Sequence, residues 1–598
     1  MVTKRLFLFV LIVLCHCSSF VVLGTGVFTN TWAVKVAGDG VVLERLARKH
    51  GFVNESQVVY DYYIFDHKMV PTRSSYPSTH ILKELLEEPE VLWSEQQVLQ
   101  KYEMYSPRDE VTFNDPKWKD QWYMMRDDGP TYNVIEVWKM GYTGKGVVVG
   151  VVDSGLDKDH PELKNNFVQE ASFDFVENEE DPSSTNGESV SHGNSCAGII
   201  AAVANNSFCG VGLAYNAKIG GIRILTVGGL TDARKAKGIS FRQDYVDIYS
   251  CSWGPTDYGY EVEEAGVVTE EALRQGALGG RKGLGSIFVF AAGNGGYSDD
   301  SCAFNGLVNS IYTIAITGVN NDGSLPHWGE HCPGILAVTY SKGISSLIDK
   351  TKLITATDNG ECTEHFGASS AAAPMASGLI ALALEANKNL TWRDVQHIII
   401  RSSRANGRVI QTEDWITNGA NLTASNNVGF GLMDAHRLVS LAVNWTTVAP
   451  QLKCTISHPR INRVIPSADA LKVTISLNDV AVTRLCLGSK INYLEHVQVR
   501  VNLNYTSRGE LEMNLTSPHG TTSRLTQYRP KDNSPDTTNL TNWVILTLHH
   551  WGENPAGIWE LSLKNAKPEH KNTGMLFDWA LIIFGTATDP LKDNAIRT

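Results

Sequence analysis

Residues 144–163 read GKGVVVGVVDSGLDKDHPEL. It holds an uninterrupted β-branched apolar run that ends at Asp153 and a glycine-bearing turn. Helical segments alternate with four further runs of this form: AKIGGIRIL (217–225), VDIYSCSWG (246–254), GSIFVFAAGNGG (285–296) and SIYTIAITGV (310–319). Such runs are typical of a parallel sheet covered on both faces, which predicts an α/β domain from about residue 120 to 445. Sites in such domains lie beyond the carboxyl ends of the strands.

Two regions with different hydrophobic patterns flank this domain. From residue 27 to about 100, the pattern predicts a small α+β unit with a strand in TWAVKV (31–36), a helix in VVLERLARKHG (41–51), and a helix running into a strand in STHILKELLEEPEVLW (78–93). After about residue 450, short alternating segments such as ALKVTISLN (470–478) and HVQVRVNLNY (496–505) are separated by polar turns. That pattern predicts a β-sandwich or barrel.

Composition describes an ordinary multidomain globular protein. The 598 residues are 42% hydrophobic and 19% charged, and the formal net charge is −12 at pH 7. The negative charge argues against a general nucleic-acid binder, so we expect no nucleic-acid partner. It is compatible with bound cations and equally with a solvated acidic surface.

The N-terminus, residues 1–26, has the layout of a signal peptide, because Lys4 and Arg5 precede an apolar run and then small residues. An uncleaved signal anchor is the alternative. No second apolar run of similar length follows, so we expect no further transmembrane segment and a protein of the secretory pathway (Golgi or secretory vesicles) or a secreted one. Eight glycosylation acceptors agree with secretion: Asn54, Asn205, Asn389, Asn421, Asn444, Asn504, Asn514 and Asn539.

Three segments of the α/β domain bring nucleophilic chemistry together. Asp153 ends a strand, His192 opens the helix of SVSHGNSCAGIIAAVA (189–204), and ASSAAAPMASG (368–378) opens another with Ser370. In a triad the imidazole takes the hydroxyl proton and the carboxylate stabilises the imidazolium. Asn294 in FAAGNGG (290–296) offers an amide to an oxyanion. Each residue alone also suits a structural role, and the adjacent Ser369 leaves the nucleophile open at this point.

The segments DSGLDKDHPEL, HGNSCAG, SWGP, AAGNGG and SSAAAP resemble the subtilases, specifically the kexin/furin-like proprotein convertases. The resemblance runs from about residue 30 to 588. It implies a prodomain (27–108), a subtilisin-like catalytic domain (109–445), a jelly-roll-like P domain (446–588) and a tail (589–598). The family places a cysteine eight residues before the nucleophile and a proline four after it, as Cys362 and Pro374 stand around Ser370. Ser370 is therefore the predicted nucleophile, and Ser369 is predicted only to pack.

The resemblance also implies bound Ca²⁺, which takes carboxylate and carbonyl oxygens. The implied ligands are Asp115, Glu162 and Asn206 with the carbonyls of Val203, Phe208 and Gly210; Asp257, Asp300 and Glu330; and Asp174, Glu179 and Asp181. The implied disulfides are Cys209–Cys362, Cys302–Cys332 and Cys454–Cys486. Cys196 is expected to be a free buried thiol, and Cys251 has no evident partner.

The substrate contacts implied by the resemblance are Ser252, Trp253, Gly254, Pro255, Asp257 and Asn305. Several carboxylates of the family's basic pockets are replaced: Ser154, Ser189 and Asn305 stand where acids are expected, and Lys235 stands where a glutamate would hold a P4 arginine. A lysine repels an arginine, so we expect weakened preference for multibasic sites, with a basic P1 residue retained through Asp257. The predicted prodomain cleavage site, after Arg108 in YSPR, is correspondingly monobasic.

These observations predict a calcium-dependent serine endopeptidase that matures secretory precursor proteins, with its own prodomain as intramolecular inhibitor and chaperone. The replaced pocket acids leave an alternative: a catalytically weak or inactive relative that binds precursors or regulates other convertases. A third reading is an adhesion or carbohydrate-binding protein built on the β-rich end. In that region SRGEL (507–511) resembles an Arg-Gly-Asp turn of the family and is predicted to be a turn between strands.

Overall fold

A computed structural model describes residues 27–74, 76–99, 111–126, 129–184, 187–342, 353–405, 409–458, 461–477, 490–534, 538–592 and 594. It divides into two compact units, one ending at Glu110 and the other beginning at Val111. The predicted signal peptide, Arg108 and Cys486 lie outside the described residues.

The first unit is an antiparallel sheet packed on two helices. Its elements are β1 (Val27–Val36), α1 (Gly40–His50), β2 (Phe52–Val59), β3 (Tyr62–His67), α2 (Thr79–Leu86) and β4 (Val91–Leu99), with strand order β2-β3-β1-β4. Asp39 caps α1, and Gly51 ends it in the left-handed conformation at φ 78°. The core is formed by Trp32, Leu46 and Phe65 among others. The predicted α+β unit is confirmed.

The second unit begins with the α/β domain. Its strands and helices are α3 (Val134–Lys139), β5 (Val148–Asp153), β6 (Phe173–Asp174), α4 (Ser191–Ala201), β7 (Lys218–Arg223), α5 (Asp232–Ser240), β8 (Ile248–Cys251), α6 (Val267–Gly283), β9 (Ile287–Ala291), β10 (Thr313–Val319), β11 (Ile335–Tyr340), β12 (Thr355–Ala356), β13 (Cys362–Thr363), α7 (Ala368–Ala386), α8 (Trp392–Ser402), β14 (Ile416–Thr417), β15 (Thr423–Ala424) and α9 (Ala435–Val443). Seven strands form one parallel sheet in the order β11-β10-β9-β8-β5-β7-β6. The five apolar runs of the sequence are five of these strands.

The helix α7 runs through the core of this domain. Among the described residues it is long and apolar enough to cross a membrane, but 89% of the stretch is buried inside the molecule. Its small residues let it pack closely against the sheet and against α4. Burial of this kind is what the core helix of a doubly covered sheet requires.

The P domain consists of two antiparallel sheets. Its strands are β16 (Leu452–His458), β17 (Arg463–Ile465), β18 (Leu471–Leu477), β19 (Tyr493–Tyr505), β20 (Leu511–Thr516), β21 (Thr522–Thr526), β22 (Asn539–Thr547), β23 (Gly557–Asn565) and β24 (Gly574–Thr586). One sheet has the order β16-β24-β19-β22, with β17 also paired to β24, and the other has the order β18-β23-β20-β21. The all-β prediction is confirmed. Beyond these strands, in the predicted tail, Asn594 Nδ2 donates to the Thr446 carbonyl at 2.7 Å.

A buried ionic network joins the P domain to the α/β domain. Glu495 of β19 accepts hydrogen bonds from Arg393 Nε at 2.9 Å and from Gln451 Nε2 at 2.7 Å, and lies 2.8 Å from His397 Nε2. Burial raises the pKa of Glu495, but the charges and hydrogen bonds of Arg393 and His397 lower it by more than burial raises it. The pKa therefore lies well below its usual range. Removing one partner of such a buried pair costs about 3–5 kcal/mol.

The SRGEL segment is part of the packed structure and not an exposed motif. Arg508 and Glu510 are both buried. Arg508 donates to both carboxylate oxygens of Asp532 at 2.8 Å, and Glu510 lies 2.7 Å from His570 Nδ1. The adhesion reading therefore has no exposed arginine–carboxylate pair in this segment on which to rest.

Candidate active site

Asp153 and His192 form a direct pair at the carboxyl edge of the parallel sheet. Asp153 ends β5 with its side chain fully buried, and its Oδ1 lies 2.7 Å from His192 Nδ1. The close approach depends on Gly193, where a Cβ would lie 1.9 Å from the carbonyl oxygen of Gly155. Burial lowers the pKa of His192, but the Asp153 carboxylate and the Cys196 thiol raise it well above its ordinary value. The pair is therefore suited to stabilise an imidazolium.

Ser370 lies in the first turn of α7, four residues before Pro374. Because proline has no N–H, the Ser370 carbonyl receives no helical hydrogen bond from that position. It accepts instead from the Ser252 hydroxyl at 3.0 Å and from the Cys196 thiol at 3.7 Å. These contacts bring the start of α7 beside α4. No hydrogen bond joins His192 to Ser370 among the described residues, and in unliganded enzymes this bond is often long until substrate binds.

The side chain of Asn294 is oriented by Ser369. Asn294 Oδ1 accepts the Ser369 backbone N–H at 2.9 Å and its hydroxyl at 2.7 Å. With the carbonyl oxygen held in this way, the amide Nδ2 remains to donate elsewhere. The expectation that Ser369 only packs is therefore corrected: the residue is buried, but its hydroxyl also fixes the neighbouring amide. Ala368, where the resemblance implies a glycine, adopts φ 57°, a region that costs a residue with a Cβ about 1–2 kcal/mol.

A cavity beside Ser370 gathers the predicted substrate contacts. Its lining includes Ser252, Trp253, Gly254, Pro255, Asp257, Asn305, Asn294, Ser369 and Ser370. The Trp253 indole N–H donates to the Val152 carbonyl at 2.8 Å, which anchors the cavity wall to β5. Asn305 Oδ1 accepts the Leu307 backbone N–H at 3.0 Å. The cavity wall therefore has a carboxylate at Asp257 and only a neutral amide at Asn305.

Asp257, Asp300 and Glu330 lie together at this cavity. Asp257 Oδ2 accepts the Asn294 N–H at 2.9 Å, and Glu330 Oε1 accepts the Gly295 N–H at 3.0 Å. Burial, reinforced by the neighbouring carboxylates, raises the pKa of Asp300 and of Glu330. Three carboxylates gathered out of water favour a divalent cation, so this set fits Ca²⁺.

Glu162 gives the first predicted calcium set its strongest support. It is fully buried, and neither carboxylate oxygen accepts a hydrogen bond within the described part of the chain. Burial raises its pKa to about 9. Asp115 accepts the Asn206 backbone N–H at 3.2 Å, Asn206 accepts that of Phe208 at 2.8 Å, and Val203 donates to the Glu162 carbonyl at 2.9 Å. A buried carboxylate without donors fits a bound cation.

The third predicted set differs in one member. The carboxylates whose oxygens come within 4.8 Å of one another are Asp174, Glu177 and Glu179. Asp181 lies apart from this group, because its carboxylate pairs with Lys158. Arg223 already lies 2.6 Å from Asp174 and supplies positive charge there. This set fits Ca²⁺ less well than the other two.

Three positions where the resemblance implies an acid have polar neighbours. Ser189 donates its hydroxyl to Asp358 Oδ2 at 2.5 Å, which brings a carboxylate beside the loop before His192. Lys235 Nζ lies 3.3 Å from Glu263 Oε1, and the lysine is 8% exposed. The third, Ser154, accepts the Gly193 N–H at 3.2 Å. A carboxylate therefore lies beside Ser189, and the charge of Lys235 is paired with that of Glu263.

The structure contains the disulfides Cys209–Cys362 and Cys302–Cys332. Cys454 is also disulfide-bonded, while its predicted partner Cys486 lies outside the described residues. Cys196 and Cys251 are buried free thiols.

The glycosylation acceptors differ in exposure. Exposed are Asn205, Asn389, Asn421, Asn444 and Asn539. Asn504 and Asn514 are half-buried, and the side chain of Asn54 is not described. Asn504 Oδ1 accepts the Met575 N–H at 2.9 Å. Asn504 also lies directly opposite Asn539 on the adjacent strand.

Comparison with known families gives three matches along the chain, which do not overlap. The subtilase family (Peptidase S8) matches residues 144–431, the peptidase S8 pro-domain matches residues 31–103, and the proprotein convertase P-domain matches residues 494–583. Furin of Bos taurus is 44% identical over 572 residues, which cover 95% of this chain and 69% of that furin. The chain belongs to the kexin/furin-like proprotein convertases.

Further relatives agree with this membership. Proprotein convertase subtilisin/kexin type 4 of Homo sapiens is 40% identical to this convertase, over 94% of its chain and 73% of the relative. The solved serine protease of Aeromonas sobria has a TM-score of 0.68 at 20% identity, over 82% of the convertase and 99% of that chain, which shows the shared fold. The convertase is accordingly a serine endopeptidase, which favours the catalytic reading over the non-catalytic alternative.

Sequence reasoning about this convertase missed three neighbours of the site. Ser369 was visible beside Ser370, but only the structure gives its contact with Asn294. Asp358 lies 169 residues from Ser189 in the chain, and no local pattern marks it. Arg529 of the P domain lies 3.2 Å from Asp300, and nothing in its segment, TQYRPKD (526–532), signals that contact.

Replacing Ser369 by alanine tests its contact with Asn294. We expect Ser369→Ala to lower kcat on an arginine-containing fluorogenic peptide roughly tenfold with little change in KM, because the oxyanion donor loses its orientation. Asn294→Ala, the matched control, should cost roughly 10²–10³, and Ser369→Thr should restore the rate. A kcat for Ser369→Ala within twofold of the parent would contradict the orienting role.

Proposed function

We propose that this chain is a calcium-dependent serine endopeptidase of the secretory pathway that cleaves precursor proteins after a basic P1 residue, with little demand for a basic P4 residue. The observation that carries the proposal is the contact of the buried Asp153 carboxylate with the half-exposed His192 imidazole, together with Ser370 and Asn294 in the lining of an acidic cavity. The furin relatives and the pro-domain match support precursor processing.

The reaction assigns one task to each side chain. His192 Nε2 takes the proton from Ser370 Oγ as the oxygen attacks the scissile carbonyl carbon, and Asp153 stabilises the imidazolium. The Asn294 amide donates to the developing oxyanion. His192 then delivers the proton to the leaving amine, which departs as the C–N bond breaks. Water, deprotonated by His192, hydrolyses the acyl-enzyme and regenerates Ser370.

The P1 preference rests on Asp257. Its carboxylate lies in the wall of the cavity that also holds Ser370 and Asn294. A guanidinium or ammonium entering this cavity gains a charge-assisted contact with Asp257, whereas Asn305 contributes only a neutral amide. One acid suffices to favour a basic P1 residue over an apolar one.

The P4 preference is lost through Lys235. The ammonium is nearly buried and paired with Glu263, so the pair presents no net negative charge to an arginine. On the P2 side, Asp358 beside Ser189 restores a carboxylate from another loop. Because alternate side chains of an extended substrate point to opposite sides, P2 faces away from the P1 cavity, toward His192. We therefore expect basic preference at P1 and P2 and none at P4.

Calcium is proposed at two of the three predicted sets. The donorless Glu162 with Asp115 and Asn206, and the carboxylates Asp257 and Glu330 with their neighbour Asp300, have the oxygen chemistry that Ca²⁺ takes. When bound, the cation would supply positive charge that stabilises the loops carrying these side chains. The prodomain is proposed as intramolecular inhibitor and chaperone, with cleavage after Arg108.

Catalysis is tested on the full chain expressed in a secretory host. We expect a mature N-terminus near Asp109 and covalent labelling by a fluorophosphonate, because the activated hydroxyl of Ser370 attacks phosphorus. Ser370→Ala should abolish labelling, while Ser369→Ala, the matched neighbour, should retain it. An unlabelled parent, or labelling that survives Ser370→Ala, would contradict the assignment of Ser370 as the nucleophile. It would favour a non-catalytic regulator.

Calcium binding is tested by thermal unfolding. At Ca²⁺ concentrations near 100 times Kd, we expect the midpoint to rise by roughly 5–10 °C over the chelated protein. Glu162→Gln should remove a large part of this rise, because the buried carboxylate is lost, whereas Glu170→Gln on the surface should not. Equal rises in parent and Glu162→Gln would exclude Glu162 as a ligand.

Specificity is tested with fluorogenic tetrapeptides. The parent should cleave P1-Arg peptides, gain from lysine at P2, and gain less than threefold from arginine at P4. Lys235→Glu should raise the P4-arginine advantage about tenfold or more, since a repulsive charge becomes attractive, whereas Lys235→Met should raise it less. With lysine held at P2, a gain of about tenfold or more from arginine at P4 in the parent refutes the proposal.

A further inference from the structure

One buried arginine of the P domain contacts three residues that line the candidate P1 cavity. Arg529 follows β21 and has no exposed surface. Its Nε lies 3.2 Å from Asp300 Oδ1, and its Nη2 donates to the Glu261 carbonyl at 2.8 Å. Its guanidinium carbon lies 4.1 Å from the centroid of the Phe304 ring. Asp300, Glu261 and Phe304 all line the cavity, so a single P-domain side chain supports three parts of its wall.

The arginine is itself held within the P domain. Asp532 Oδ2 accepts from Arg529 Nη1 at 3.3 Å, and both Asp532 oxygens accept from Arg508 at 2.8 Å. Arg508 in turn donates to the Tyr260 carbonyl at 3.0 Å, on the same loop as Glu261. One charge-paired unit is therefore formed by Arg508, Asp532 and Arg529, and we call it the arginine block. Its two arginines donate hydrogen bonds to the carbonyls of residues 260 and 261.

The positive charge of the arginine block also complements the negative charge of the cavity. Asp257, Asp300 and Glu330 carry three negative charges when ionised, and a buried charge without a counter-charge is costly. Arg529 beside Asp300 offsets one of them, which leaves negative charge on the other two for cations. The carboxylates also accept the backbone N–H groups of the turn that bears Asn294. Asp300 itself accepts the Gly259 backbone N–H at 2.9 Å, which couples it to the loop that carries Asp257 and Glu261 in the P1 wall.

We propose that Arg529 is a positioning residue for the P1 pocket, through which the docked P domain sets the pocket's affinity for a basic side chain. The inference deepens the proposed function and rests on it, since it concerns the same basic P1 residue. Loss of the guanidinium releases Asp300 and Phe304 together, and the wall that faces an incoming cation loses its shape.

The test uses the activated full-length convertase and p-aminobenzamidine, an aryl amidine that imitates an arginine side chain and fluoresces in an apolar pocket. Arg529→Met should raise the Kd of this probe tenfold or more and raise KM for a P1-Arg peptide to match, with kcat changed less than threefold. Fluorophosphonate labelling of Ser370 should persist. Labelling separates the two ideas: an unlabelled parent defeats the proposed function, and an unchanged amidine Kd in a labelled Arg529→Met variant defeats only this inference.

Arg393→Met is the matched control. Arg393 belongs to another buried arginine–carboxylate pair between the same two domains, with Glu495, and it lies outside the cavity lining. It should lower the thermal midpoint yet leave the amidine Kd within twofold. An equal loss of amidine binding in both variants would show general loosening of the domains and overturn the proposal.

A second variant covers failure of Arg529→Met to mature. Arg529→Lys keeps the charge and loses the planar fork that reaches Asp300, Asp532 and Glu261 together. It should raise the amidine Kd three- to tenfold. A Kd within twofold of the parent would overturn the positioning role.

Discussion

The contact between Asp153 and His192 depends on a geometric constraint that all strands of the central sheet share. Because β5, β8 and β9 run parallel, the residues that follow them emerge at one edge. Asp153 ends β5, Ser252 follows β8 and Asn294 follows β9. Two helices then start at that edge, and the side chains of the site come from their first turns. Polar groups far apart in the chain meet there without any one loop having to hold them all.

The strands and the polar residues at their ends were predictable from sequence, because a buried parallel strand is an unbroken apolar run and its end is marked by a glycine turn. The identities of the second-layer contacts were not. The hydroxyl of Ser369 differs from an ordinary small packing group only through its distance to Asn294. The lysine–glutamate pair of Lys235 and Glu263 depends on how α5 lies against a loop. Neither contact produces a periodic pattern in the sequence from which it could be predicted.

The P domain shows the same limit on a larger scale. Its strands follow from alternation, but alternation says nothing about which surface meets the catalytic domain. Arg529 and Glu261 are 268 residues apart, and both belong to turns that sequence reasoning treats as connections. The interface combines this arginine with the Glu495 network, so charge and not only apolar area specifies how the two domains pack. Basic recognition in the cavity and domain packing therefore draw on the same kind of interaction.

The facing acceptors Asn504 and Asn539 limit the number of oligosaccharides that this part of the folded P domain can carry. Cross-strand neighbours stand about 5 Å apart, too close for two branched oligosaccharides to leave the sheet side by side. The folded ladder therefore leaves room for one such oligosaccharide and not for two.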